Sequence, residues 1–513
     1  MIRSIALAFF SLCITPAIAQ HEVMYHISNR SFFDSNGDGQ GDLKGIEQKL
    51  DYLQQFGITT ISLSPVYQSD FYHNLYATDL EKIDAEYGAF KEYRDLIQNI
   101  HLRKMKVYQE MDLQYVSAKH LWFTDSFKNI KSAYSGYIYY TDAKNEKPYL
   151  LPEITTFNGA KEQVAAVNLK NAKVAAYYNK ALKYWADPNG DGNFYDGVDG
   201  FRLVDVKDKL DNSGKTGNQF KEFYAPLIAN LKKVNPALQL LAEPTDKTNA
   251  GNELFVKAGF DRVLASQLRD AIVSFDKQKI MKAADSIMLH YDYKAKVPVL
   301  YVEDENTGRT ASMQGMNLGK LKAAAGLSFL LGGVPCIYYG QEIGMMAQPL
   351  STGTDGDGIP SREAYEWYAS GEGQGMANWY KDVPQIWDNR SAKASDGISL
   401  EEQQKAENSL WAYYKQLIRM KKMVYPIAEG KYENVLNSND KVVSFLRNDG
   451  KHKYFVMINL SDKQEFARLD DTSNVVVEGM QLVFGTPNVA FGRGARDVSL
   501  TPYCVQIWKC IYQ

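Results

Sequence analysis

The densest run of oxygen ligands in this sequence is Asp34-x-Asn36-x-Asp38-Gly-x-Gly-Asp42. Carboxylate and amide oxygens at alternate positions, with glycines closing a tight turn, suit a hard cation such as Ca²⁺. The alternative for the same residues is an Asp/Gly-rich turn that holds no ion. A second, weaker run, Asp187, Asn189, Asp191, Asn193 and Asp196, alternates in the same way. Any ion in either loop would be structural, remote from chemistry. The stretch TDGDG at 354–358 reads as a flexible loop, and His120 and the other histidines show no metal-ligand spacing along the chain.

The elements that must position such residues alternate. Short apolar β-type runs occur at 23–29, 58–66, 106–113, 197–206, 238–244, 260–266, 297–305 and 334–342, with helical stretches between them. Eight such units predict an α/β fold, a closed (β/α)8 TIM barrel spanning 20–113 and 168–425, with its site at the strands' C-terminal ends. The Tyr- and Lys-rich segment 114–167 interrupts the pattern after the third strand and reads as an inserted subdomain over the barrel mouth, since loops this long are usually functional. After a helix at 407–424, residues 426–513 turn to short alternating segments such as KVVSFL and KYFVMINL, which predict a C-terminal antiparallel β-sandwich.

Residues 1–19 have the form of a signal peptide: Arg3, an apolar run from Ile5 to Ile14, then Ala17-Ile18-Ala19 before a cleavage point at Gln20. This predicts a secreted or periplasmic protein. Lipidation at Cys13 is disfavoured because Leu12 stands where a small residue is needed. No later stretch is apolar enough to span a membrane. Cys504 and Cys510 lie roughly 20 Å apart in an extended strand, too far to bridge. The formal charge of −3, without long runs of either sign, gives nucleic-acid binding no electrostatic support.

Several segments carry a family resemblance. VMYHISNRSFFDSNGDGQGDLKGIEQKLDYLQQFGITTISLSPVY resembles the first two barrel strands of oligo-1,6-glucosidase and neopullulanase-type enzymes, DGFR their fourth strand and GVPCIYYGQEIGM their eighth. From about residue 22 to 425 the chain is identified as a member of glycoside hydrolase family 13, the α-amylase family. The resemblance implies a structural Ca²⁺ in the loop 34–42, with Gln40 adding its backbone carbonyl. It also implies retaining glycoside chemistry, in which an Asp attacks the anomeric carbon while a Glu about 5–5.5 Å away protonates the leaving oxygen.

Against that family pattern the site is depleted. Gly200-Phe201-Arg202-Leu203-Val204 puts Val204 at the nucleophile position. Strand alternation sends Arg202 and Val204 into the barrel and Asp205 toward the helices, unless a bulge redirects it. Asp208 stands at a substrate-facing histidine. Glu243 matches the general acid, and Asp304-Glu305-Asn306 stands at Asn-His-Asp, so an amide, Asn306, replaces the third carboxylate. Glu110-x-x-x-Gln114-Tyr115 stands at Asp-x-x-x-Asn-His. His73 is kept, Leu75 replaces a platform tyrosine, and Ala166 replaces an aspartate ahead of Asn168.

Three readings follow. The favoured one is a catalytically degenerate relative in carbohydrate (α-glucan) metabolism that binds an α-glucan, an oligosaccharide or a protein partner. In it Glu243 and Arg202 are vestigial, and His73, Tyr115, Glu305 and Asn306 face the ligand. The alternative is an active α-glucan glycoside hydrolase with a rearranged carboxylate pair, since Glu110, Asp112, Glu303, Asp304 and Glu305 lie near the mouth and inverting chemistry needs only an acid and a base roughly 6.5–9.5 Å apart. The third has Asp205 reaching in through a bulge. A second inward carboxylate beside Glu243 would favour an enzyme; a wall of Val204, Leu75 and Tyr115 would favour a binding protein. Tyr137, Tyr139 and Tyr140 are candidate sugar platforms.

Overall fold

The computed structural model describes residues 21–211, 215–247, 251–288, 295–470, 475, 480–485 and 496–510. The expected signal peptide and Cys13 lie outside the described residues. Eight strands close a parallel barrel: Met24–Ile27, Thr60–Leu63, Lys106–Asp112, Gly200–Val206, Gln239–Pro244, Arg262–Leu264, Val297–Leu300 and Val334–Tyr338. Each matches one of the apolar runs. Buried on both faces, parallel strands need apolar side chains on both, and this makes them legible as runs.

The two faces nonetheless differ. Met24, Tyr108, Leu241, Val299, Val334 and Cys336 fill the barrel interior as one cluster. Tyr25, Ile27, Val107, Phe201 and Leu203 point outward into the main core with the helices. With period two, the residue above Met24 is His26, above Tyr108 Glu110, above Gly200 Arg202 and above Leu241 Glu243. A polar layer thus sits on an apolar one at the C-terminal end. Gly200 leaves the lower layer room for Tyr108, whose ring a Cβ at 200 would meet at 3.0 Å.

The insert does not stand alone. Tyr115–Ser117, Glu153–Thr155 and Lys161–Ala166 join Tyr67–Ser69 and Ala77–Ile83, from the segment after the second strand, in a single five-stranded sheet. Near the C-terminus a five-stranded antiparallel sheet holds Lys431–Asn434, Val442–Asn448, Lys453–Asn459, Val505–Lys509 and Gln481–Phe484. It faces the pair Glu465–Arg468 and Asp497–Leu500 across a core that includes Val442, Phe455, Met457, Ala467 and Leu500. Cys336, Cys504 and Cys510 are free thiols.

Candidate functional site

Arg202 is the hub of the barrel mouth. Its Nε and Nη2 donate to Glu243 Oε2 at 3.1 and 2.5 Å, and Nη2 also donates to Glu305 Oε1 at 3.0 Å. Nη1 lies 3.3 Å from Glu110 Oε2. Glu243 spends its other oxygen on Asn306 Nδ2, at 3.0 Å. His26 completes the group, with Nε2 3.2 Å from Glu305 Oε2 and 3.5 Å from Glu110 Oε2. Three glutamates from the third, fifth and seventh units thus surround one guanidinium.

Burial dominates the electrostatics. It pushes Glu110 well above the usual carboxylate range and raises Glu243, although Arg202 opposes both shifts. For Glu305 burial also acts upward, but Arg202 and His26 outweigh it and hold the carboxyl well below its ordinary value. Burial and the charge on Arg202 lower His26. On Arg202 burial is outweighed by the three glutamates, so the guanidinium stays charged.

Val204 is buried where a family nucleophile would stand, in register with Asp112. The strand then departs from simple alternation. Pairing with the fifth strand jumps from Leu203–Ala242 to Val206–Pro244, and Asp205 has a φ of 51°. The expectation that Asp205 points toward the helices is therefore corrected: an extra residue in one strand re-aims the side chain. The bulge sends its carboxylate to Thr245 Oγ1, at 2.6 Å, and to Lys207 Nζ, at 2.7 Å. Neither contact is Arg202 or Glu243.

Of the remaining expected site residues, His73 lines the pocket at the mouth with Leu75, Glu110 and Glu305. Burial and the cations Arg362 and Arg30 push the His73 imidazole down to about 3, so it is neutral. Asn306 is exposed beside Glu243. Tyr115 stands apart from the pocket lining, its hydroxyl accepting from Lys207 Nζ at 2.9 Å. Asp112 accepts from the backbone of Gln114 and Tyr115, Glu303 binds Arg309 and Thr310, and Asp208 holds the backbone of Phe220. Tyr140 meets Ser126 and Tyr137 packs on Trp122 within the insert, while Tyr139 donates to Asp211 after the fourth strand; none of the three lines the pocket.

Sequence reasoning missed His26, Arg30, Arg362 and Trp379 in the pocket wall. His26 had a usable signal, a titratable residue two positions after an interior one at the end of a barrel strand. Arg362 and Trp379 come from the long segment after the eighth strand, where no periodicity marks them. These residues line a cleft at the mouth with about 390 Å³ of free space, counted out into open solvent.

In the first cation loop, Asp34 accepts from the backbone of Asn36, Gly37 and Gly39, Asn36 from Asp38, and Asp38 from Gln40. The side chain of Gln40 accepts from Arg30. Asp42 caps the helix Leu43–Gln48 and binds Ser35. In the second loop, Asn189 and Asp191 accept from the backbone of Asp191 and Asn193. There Asp187 Oδ1 and Asp196 Oδ1 are buried with no hydrogen-bond partner. Burial, Asp191 and Asp187 raise Asp196 above its usual value, as expected of crowded carboxylates facing one another. The loop ranked weaker in sequence thus has the orphaned oxygens that a cation would satisfy.

The comparisons agree with this architecture. A family model described as "Alpha amylase, catalytic domain" matches residues 26–430. The chain is 26% identical to Alpha-amylase 3 of Dictyoglomus thermophilum, covering 89% of this chain and 86% of that one. It is 24% identical to Oligo-1,6-glucosidase of Parageobacillus thermoglucosidasius, covering 95% and 98%. Among solved structures, the α-amylase from H. orenii superposes with a TM-score of 0.76 at 24% identity, over 96% of this chain and 99% of that one. Barrel, mouth and sequence together place the chain in glycoside hydrolase family 13, the α-amylase family of carbohydrate metabolism.

Proposed function

We propose that this is a secreted or periplasmic member of the family that binds α-glucan or oligosaccharide and does not hydrolyse it by the retaining route. The observation that carries the reading is the pairing of Val204 at the nucleophile position with a Glu243 whose two oxygens are both engaged, by Arg202 and Asn306. Valine cannot attack, and losing one member of a catalytic unit costs on the order of 10⁴–10⁶ in rate. Aromatic surface at the mouth supports contact with a glucan: Trp379, half-buried in the pocket wall, has Phe157 edge-on against it. The leader-like composition of residues 1–19 supports export.

Glu110 and Glu305 do stand inside beside Glu243, and this is the observation that favours an enzyme. Arg202 Nη2, however, holds Glu243 and Glu305 at 2.5 and 3.0 Å. That sharing brings two of their oxygens closer than the roughly 6.5–9.5 Å that inverting hydrolysis leaves for a water. Starch, maltooligosaccharides and an aryl α-glucoside should show no turnover, while a maltooligosaccharide titrated into the protein should give a binding isotherm. Covalent labelling of Asp205 by a mechanism-based fluoroglycoside would overturn the reading. Turnover together with no glucan binding at the rim would promote the rearranged pair.

The cation loops belong to the same proposal. Asp34, Asn36, Asp38, the Gln40 carbonyl and Asp42 would hold one Ca²⁺, and Asp187, Asn189, Asp191, Asn193 and Asp196 a second. Chelation should lower the melting temperature. Asp38→Ala should remove the part of that sensitivity due to the first loop, and Asp187→Ala the part due to the second. Melting unchanged by EDTA, with no metal found by elemental analysis, would sink both sites.

A further inference from the structure

The hub leaves one problem unsolved by hydrogen bonding. His26 Nδ1 lies 3.1 Å from the carbonyl oxygen of Ser62. The Ser62 hydroxyl lies at the same 3.1 Å from Nδ1; in the tautomer that gives the Nδ1 proton to the carbonyl, Nε2 presents its lone pair. That lone pair faces Glu305 Oε2 at 3.2 Å and Glu110 Oε2 at 3.5 Å. Both oxygens are buried without a well-directed hydrogen bond, Glu110 Oε2 lying 3.3 Å from Arg202 Nη1. In that tautomer three acceptor atoms converge, with Arg202 Nη1 at the edge of the group beside Glu110 Oε2. Unpaired buried acceptors are costly, and such an arrangement persists when something positive sits at its centre.

We propose that His26 Nε2, Glu110 Oε2 and Glu305 Oε2 form a binding site for a first-row divalent transition metal in the barrel mouth. The three donor atoms all lie within 4.8 Å of one another, the one His/Cys/Asp/Glu group among the described residues to gather in this way. Ligands about 2.1 Å from a tetrahedral Zn²⁺ sit roughly 3.4 Å apart, which the 3.2 and 3.5 Å separations bracket. The second nitrogen of His26 bonded to a backbone carbonyl is the outer-shell arrangement that orients ligating histidines. The adjoining cleft, lined in part by all three residues, supplies the open position.

Charge points the same way. Glu110, Glu243 and Glu305 outnumber Arg202 and Arg362, whose Nη1 donates to the backbone oxygens of Glu305 and Gly358. A bound cation would favour the ionised form of these buried carboxyls. One imidazole with two carboxylates favours a transition metal over Ca²⁺, whose loops offer oxygen alone. The site goes beyond the glucan-binding reading and holds whether or not glucan binds.

The test uses the full chain, stripped with chelator and then saturated with Ca²⁺, titrated with Zn²⁺ by calorimetry and with Co²⁺ by visible absorption. One Zn²⁺ per chain and Co²⁺ d–d bands are expected. The near-isosteric variants His26→Gln and Glu305→Gln should each weaken Zn²⁺ by at least about tenfold, the loss that even outer-shell changes can produce. They should also abolish the Co²⁺ bands while keeping the wild-type circular dichroism. Absence of Zn²⁺ binding by the wild type, or binding unchanged in both variants, would overturn the site and leave a proton on His26 Nε2 as its occupant. Should one variant misfold, the other decides alone.

Discussion

Arg202→Met should destabilise the protein by about 3–5 kcal/mol, the range for removing one partner from a buried ion pair, and should make its stability fall steeply toward neutral pH. In the native protein Arg202 touches Glu110, Glu243 and Glu305, all deep in the barrel. Burial alone already raises Glu110 and Glu243 against the pull of the guanidinium, while Glu305 is held low largely by it. Without Arg202 all three carboxyls move up. A carboxyl whose folded value lies above its unfolded value, about 4.3 for Glu, takes up a proton on folding. Its destabilising effect is absent below the unfolded value and grows as pH rises toward the folded one. Urea melts should therefore show a smaller loss near pH 5 than near pH 8. Arg202→Lys should rescue only in part, since one ammonium lacks the planar fork that reaches several carboxylates at once. A loss that is uniform across this pH range would mean that Arg202 acts through packing rather than charge.

Val204→Asp, the substitution that rebuilds the family nucleophile, should leave the protein inactive and less stable by several kcal/mol. Arg202 already commits Nε to Glu243 and Nη2 to Glu243 and Glu305, with Nη1 facing Glu110. A fourth carboxylate there adds negative charge to a cluster that already has an excess. It also stands in register with Asp112, whose carboxyl burial and the field of Asp205 already raise well above its usual value. Even with a nucleophile, Asn306 supplies no second acid and Leu75 no platform. The pair Val204→Asp with Asn306→Asp should give traces of hydrolysis at best. Recovery by the single substitution to within about tenfold of an active family member, a loss small beside those typical of catalytic groups, would show an intact site and remove the case for a binding protein.

The sequence alone determined the barrel, because eight buried parallel strands must be apolar on both faces and so stand out as runs. Period-two alternation placed Arg202 and Val204 on the inner face, where Arg202 meets Glu243 from the fifth strand. It also showed which family positions had changed, since a motif is local. Tertiary structure decided the rest. Asp205 turns away through a bulge that no residue pattern announces. Asp208, which stands at a substrate-facing histidine in the family pattern, holds the backbone of Phe220. The triad of His26, Glu110 and Glu305 was invisible to spacing because its members lie on different barrel units, far apart along the chain. Spacing arguments register neighbours on one strand or loop; closure of the barrel is what brings the ends of the first, third and seventh units to within bonding distance of a single ion.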